Sequence, residues 1–149
     1  MEIEVVDLYI VDPCKSEERT AAFMHWIGVN SVRGEKSRVL ALWDGGAQVS
    51  ALDRKKFEEM KHRLGTVLPG TKVLRMADGT KVSSVAHWEG EVEVEGVRIV
   101  GRFEVFDSGG GWSFLFGKDL QAEIGAVHDM RRDVVTIEAG GRCAVLRNQ

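Results

Sequence analysis

Asp44 closes the apolar run Val39-Leu40-Ala41-Leu42-Trp43 and is followed by Gly45, Gly46 and Ala47. A carboxylate at the end of an apolar strand is costly to bury unless it is hydrogen-bonded or paired. Two glycines directly after it let the backbone turn tightly and aim N–H groups at it. These residues hold an acid in place, and by themselves they fit either a proton-handling group or a strand-ending aspartate that starts a turn. A competing acid is Asp107 of Asp107-Ser108-Gly109, which also ends a strand-like run but leads into Gly110-Gly111-Trp112. His25, His62, His87 and His128 are scattered without metal-ligand spacing, and Ser50 has no nucleophile-elbow motif, so neither a zinc site nor a serine hydrolase is expected. No cofactor and no metal are expected.

The elements that must position Asp44 read mostly as strands and tight turns. Phe23 to Val29 and Ser37 to Trp43 form one pair around the polar turn Arg33-Gly34-Glu35-Lys36. One surface helix is predicted: Asp53 caps it, Phe57, Met60 and Leu64 share a face, and Gly65 ends it. Lys72 to Met76 and Lys81 to Val85 flank Asp78-Gly79, a two-residue hairpin signal. Alternation in Glu91 to Glu95 resumes after Gly96 in Val97 to Phe106, giving an antiparallel pair with one wet face. A buried run, Phe114-Leu115-Phe116, precedes a short helix over Asp119 to Ile124, and Val134 to Glu138 pairs with Arg142 to Leu146. The segment from Glu2 to Val11 reads as an outer strand or extension, broken off by Pro13. The order suggests a small closed or partly closed barrel.

Composition bounds the function. With 149 residues, the chain suits one domain with its own core. A balance of 20 Lys+Arg against 23 Asp+Glu, without a basic stripe, argues against nucleic acid or an anionic membrane as partner. No apolar run is long enough to span a membrane, and Met1-Glu2-Ile3-Glu4 does not read as a secretory signal. The expected compartment is intracellular, in the cytoplasm. Cys14 and Cys143 are expected to be free thiols. Trp26, Trp43, Trp88 and Trp112 read as core or interface anchors, with Trp88 near enough in sequence to the hairpin to line a groove.

An apolar strand, Asp-x-Gly-Ala, a hairpin tipped by Ala77-Asp78-Gly79-Thr80, and then Phe114-Leu115-Phe116-Gly117-Lys118-Asp119 resemble, in that order, the retropepsin family of aspartic proteases. The likeness is greatest to the domains of retroviruses and long-terminal-repeat retrotransposons. It covers roughly residues 23 to 147, which leaves 1–22 as an N-terminal extension and 23–149 as the protease-like domain. The resemblance implies an all-β closed barrel with one inserted surface helix and a short C-terminal helix. It places Asp44 on the catalytic aspartate, with Gly45, Gly46 and Ala47 as the catalytic loop. Met76, Ala77, Asp78, Gly79 and Thr80 fall on the substrate-covering flap, and Phe116 and Gly117 on the apolar-apolar-Gly support beneath the loop. Asp107 has no matching context and reads as a decoy, an intrachain dyad with Asp44 being the minor alternative.

Aspartic proteolysis needs two carboxylates that share one proton. This chain offers one, so the resemblance implies a homodimer in which each copy supplies Asp44 and the substrate is a peptide or polyprotein. Family members carry Thr or Ser where this chain has Gly45, and that hydroxyl bonds across the dimer. Its loss leaves open a catalytically weakened or inactive dimerisation and peptide-binding module; a separate alternative, outside the resemblance, is a plain small β-barrel adaptor with no proteolytic ancestry.

Overall fold

The computed structural model describes residues 3–8, 22–31, 33–76 and 78–149. Among these residues thirteen strands are formed: β1 (Glu4–Asp7), β2 (Phe23–Asn30), β3 (Lys36–Trp43), β4 (Ala51–Asp53), β5 (Leu68–Pro69), β6 (Lys72–Arg75), β7 (Lys81–Ser83), β8 (Ala86–Val94), β9 (Val97–Phe106), β10 (Phe114–Phe116), β11 (Val127–Asp129), β12 (Val134–Ala139) and β13 (Arg142–Arg147). The helices are α1 (Arg54–Met60), extended by a 3-10 turn over Lys61–Arg63, and α2 (Lys118–Glu123).

Six strands close on themselves. The order is β2-β3-β10-β4-β9-β8, and β8 returns to β2 through the pairs Gly28↔Glu93, Val29↔Val92 and Asn30↔Glu91, while β5 adds to the outside of β8. Closure removes the open edges of the central sheet. Two polar contacts stitch the seam, Asn30 Nδ2 to Glu91 Oε1 at 2.6 Å and Lys36 Nζ to Glu93 Oε2 at 2.9 Å. A smaller sheet, β1-β6-β7, lies apart from the ring, and β11-β12-β13 forms a third. The all-β closed barrel with one inserted helix and a short late helix is therefore the observed architecture.

The side-chain period of two divides the interior into two cores. Phe114 and Phe116 of β10 join Phe23, Trp43, Leu52, Trp88 and Phe103 in the barrel core, where Trp43 stacks on Phe116 at 4.1 Å between ring centroids. Leu115, between them, points the other way into a second core with Ala47, Val49, Ala51, Leu74 and Phe106. This second core lies between the barrel and the β6–β7 hairpin.

Local expectations hold where a specific side chain enforces them. Asp53 caps α1 by accepting from the Lys55 amide at 3.1 Å, and the buried Phe57, Met60 and Leu64 face the barrel core. Glu95 and Gly96 take positive φ values of 46° and 80° at the β8–β9 turn. The β6–β7 connection differs from the expected two-residue turn. Met76 N–H donates to Thr80 O at 2.7 Å and Gly79 N–H to Met76 O at 3.0 Å, so three residues separate the bonded pair and Gly79 takes the left-handed position at φ 87°. Strands β4, β5 and β11 were not anticipated. They are two or three residues long, too short to show a period.

Trp88 does not line a groove. It is buried, stacks on Phe103, and donates from Nε1 to Leu64 O at 2.7 Å, which fastens the end of the inserted helix to the barrel. Trp26 is exposed under the Arg38 guanidinium. Cys143 is an exposed free thiol, and Cys14 lies outside the described residues. No helix among the described residues is long and apolar enough to cross a membrane.

Candidate active site

Strand β10 enters between β3 and β4, parallel to the first and antiparallel to the second. The segment that joins β3 to β4, residues 44–50, must therefore pass over the C-terminal end of β10. Asp44 is the first residue of that crossing. Its amide donates to Phe116 O at 3.1 Å, which fixes where the strand ends. Its carbonyl accepts from Ala47 N–H at 3.2 Å, and its carboxylate Oδ1 accepts from Gly46 N–H at 2.9 Å. The acid is half-buried and oriented by its own loop. Gly45 is exposed at the tip, and a Cβ placed on it meets nothing within 4 Å.

Further contacts hold the loop from below. Gly117 follows β10 so closely under the loop that a Cβ there would stand 2.5 Å from Val49 O and 3.0 Å from Ala47 O, a space only glycine fits. Lys118 N–H donates to Ala47 O at 2.8 Å. Ser50 is buried; its hydroxyl accepts from Gly117 N–H at 2.9 Å and donates to Asp119 Oδ1 at 2.7 Å, while Gln121 Nε2 donates to Phe116 O at 2.9 Å. Phe116 and Gly117 thus lie directly beneath the Asp44 loop. Sequence reasoning missed the Ser50–Asp119 clamp. The available signal was a lone hydroxyl between Val49 and Ala51, at a position otherwise wholly apolar.

The β6–β7 hairpin covers the other side of the second core, to which Met76 and Val82 contribute. Met76, Asp78, Gly79 and Thr80 form its tip, and Ala77 lies outside the described residues. Thr80 hydrogen-bonds the Asp78 carboxylate through side chain and amide, which holds that exposed acid below its ordinary titration range.

Asp107 is elsewhere. Phe106 pairs with Asp53, whose amide donates to Ser113 O just before β10 begins, whereas Asp44 sits beside Phe116 at the strand's other end. The two acids therefore flank opposite ends of β10, roughly 10 Å of strand apart. The Asp107 loop is bound into structure: Ser108 N–H donates to Asp53 Oδ1 at 2.9 Å and Ser108 Oγ to Trp112 O at 3.0 Å. Burial opposes ionisation of Asp53, but the hydrogen bonds from Ser108 and from the Lys55 and Lys56 amides outweigh it, so its carboxyl lies below the usual aspartate range.

The fold as a whole is also found in solved proteins. The retroviral protease-like domain of Ddi1 from Leishmania major superimposes with a TM-score of 0.63 at 16% identity, over 88% of this chain and 96% of that domain. The fold is retropepsin-like. EIAV protease in complex with the inhibitor HBY-793 matches over 78% of this chain and 100% of its own, at 19% identity and a TM-score of 0.53. A retropepsin-like aspartic protease from Rickettsia conorii matches over 75% and 88%, at 21% identity and a TM-score of 0.50. No protein-family model and no curated relative matches the sequence. The retropepsin-like frame is thus kept at identities where only the architecture is shared.

Of the remaining histidines, His25 is buried and bonds Arg147 O at 2.9 Å and Glu95 Oε1 at 3.2 Å, far in sequence from the loop. His87 meets Pro69 O at 2.7 Å. Both tie strands together.

Proposed function

We propose that this protein is a homodimeric aspartic endopeptidase in which Asp44 of each chain contributes one carboxylate to a shared dyad. The observation that carries the reading is the held, half-buried Asp44 on a braced loop of a retropepsin-like fold. Two carboxylates brought together cannot both ionise, so one proton is shared. The charged member draws a proton from a bound water, and the neutral member donates to the scissile carbonyl. One lobe per chain makes a two-fold axis through the site the simplest way to obtain the pair. Gly46 and Ala47 shape the loop, and residues 76–80 act as the flap over an extended peptide, as in the retrotransposon and retroviral type. A domain spanning 23–149 carries this machinery, and the chain works in the cytoplasm with no cofactor.

Gly45 favours a second reading. With no hydroxyl to bond across the axis, the same fold serves as a dimerisation or peptide-binding module with weak or no turnover. A peptide library at about pH 4–6, where a dyad is singly protonated, separates the two. Cleavage by the native chain that is abolished by Asp44→Asn supports the protease. Cleavage surviving Asp44→Asn removes the dyad mechanism, and no cleavage at any pH favours the module.

A further inference from the structure

Strand β1 belongs to no part of the barrel. Among the described residues it pairs only with β6, in parallel register from Glu4↔Lys72 to Asp7↔Arg75, and forms the outer edge of the hairpin sheet. Beyond it, Leu8 is bonded to two different elements. Its N–H donates to Arg75 O at 3.1 Å on the hairpin, and its carbonyl accepts from Gln48 N–H at 3.0 Å on the loop that begins with Asp44. The main chain of Leu8 therefore spans the gap between hairpin and candidate catalytic loop.

Val6 and Leu8, two residues apart, turn to the same face, as a strand's period requires. Leu8 is 0% exposed within the second core, beside Ala47, Val49 and Leu74, and Val6 packs against the same cluster. Ile3 and Val5 point outward, 61% and 45% exposed. Without this segment the β6 edge would present unpaired N–H and C=O groups above an apolar hollow, which is the surface that captures an extended peptide by strand addition. Residues 9 to 22 join the segment to β2, so it competes for the groove at the high effective concentration of a tethered ligand.

We propose that the groove between the β6 edge and residues 44–48 is a binding site for extended peptides with apolar residues at alternate positions, Val-x-Leu being the built-in example, and that residues 4–8 occupy it as an internal competitor. This deepens the proteolytic reading and rests on it for the role of the groove. A substrate strand enters when the N-terminal segment leaves, and a Leu-sized residue fills the pocket now holding Leu8.

The test uses a fluorescently labelled Ile-Glu-Val-Val-Asp-Leu peptide and anisotropy on the full chain. Leu8→Asp, which puts a charge in the pocket, frees the groove and tightens peptide binding by about tenfold or more over the native chain, because the competent fraction rises. A chain starting at residue 9 gives the same gain, and a peptide ending in Asp in place of Leu gives none. Folded variants that bind no better than the native chain overturn the proposal. Loss of the folded state in both variants does so too, since β1 is then a permanent strand. The measurement is repeated on Asp44→Asn, where the gain persists. Binding without cleavage anywhere leaves the groove standing and removes the protease; cleavage with no gain in binding does the reverse.

Discussion

The Ser50 hydroxyl donates to the Asp119 carboxylate at 2.7 Å while accepting from the Gly117 amide at 2.9 Å, and this one buried oxygen joins the loop after Asp44 to the start of α2. Loop and helix come from opposite halves of the chain. The Lys118–Ala47 bond beside it, and the bond from the Asp44 amide to Phe116 O, brace the same loop.

Ser50→Ala deletes both bonds and leaves the Gly117 N–H buried without a partner. The expected loss is about 1–3 kcal/mol of unfolding free energy, read from urea denaturation, with a larger fractional loss of any Asp44-dependent activity.

Gly117→Ala places a methyl against the carbonyls of Val49 and Ala47, and backbone on both sides cannot yield as a side chain would. Overpacking of this kind costs at least about 1–3 kcal/mol. A thermal melt reads it, and a variant as stable as the native chain would contradict the described packing.

Gly45→Thr is expected to be tolerated, because the added Cβ meets open space and Gly45 is not in the left-handed region. Under the shared-site reading each new hydroxyl gains about 1 kcal/mol across the axis, so two chains gain about 2 kcal/mol, roughly thirtyfold in the dimer dissociation constant. Sedimentation at several concentrations measures this, and turnover is expected to rise with it.

Acid sensitivity follows from Asp53. Its folded-state carboxyl titrates below the ordinary value of 3.8, so its contribution is complete above that value and is lost as pH falls through the lowered one. Asp53→Ala removes the α1 cap and the Ser108 anchor, costing about 1–2 kcal/mol near neutrality. The variant's stability is expected to fall less steeply below about pH 4 than the native chain's, as chemical denaturation across pH 3–7 would show.

Much of the frame was legible because local chemistry and tertiary demand agree. Asp53 caps the helix, the glycine-bearing turns fall between alternating runs, and Phe114-Leu115-Phe116 announces a strand buried on both faces. What stayed hidden depends on partners distant in sequence. Leu8 looks like any residue of an apolar end segment until β6 and the 44–48 loop meet it from two sides. Ser50 finds its acid 69 residues away. The Asp107 loop spells an acid-Ser-Gly motif, yet only strand register reveals that it sits at the far end of β10 from Asp44 and serves Asp53 instead.

A mixing titration tests the shared dyad most directly. Native chain and Asp44→Asn chain are combined at constant total concentration, allowed to exchange partners, and assayed for cleavage at about pH 5. If each reactive centre takes one Asp44 from each chain, activity falls as the square of the native fraction. A linear fall would mean that a single chain holds a complete site, and would contradict the account.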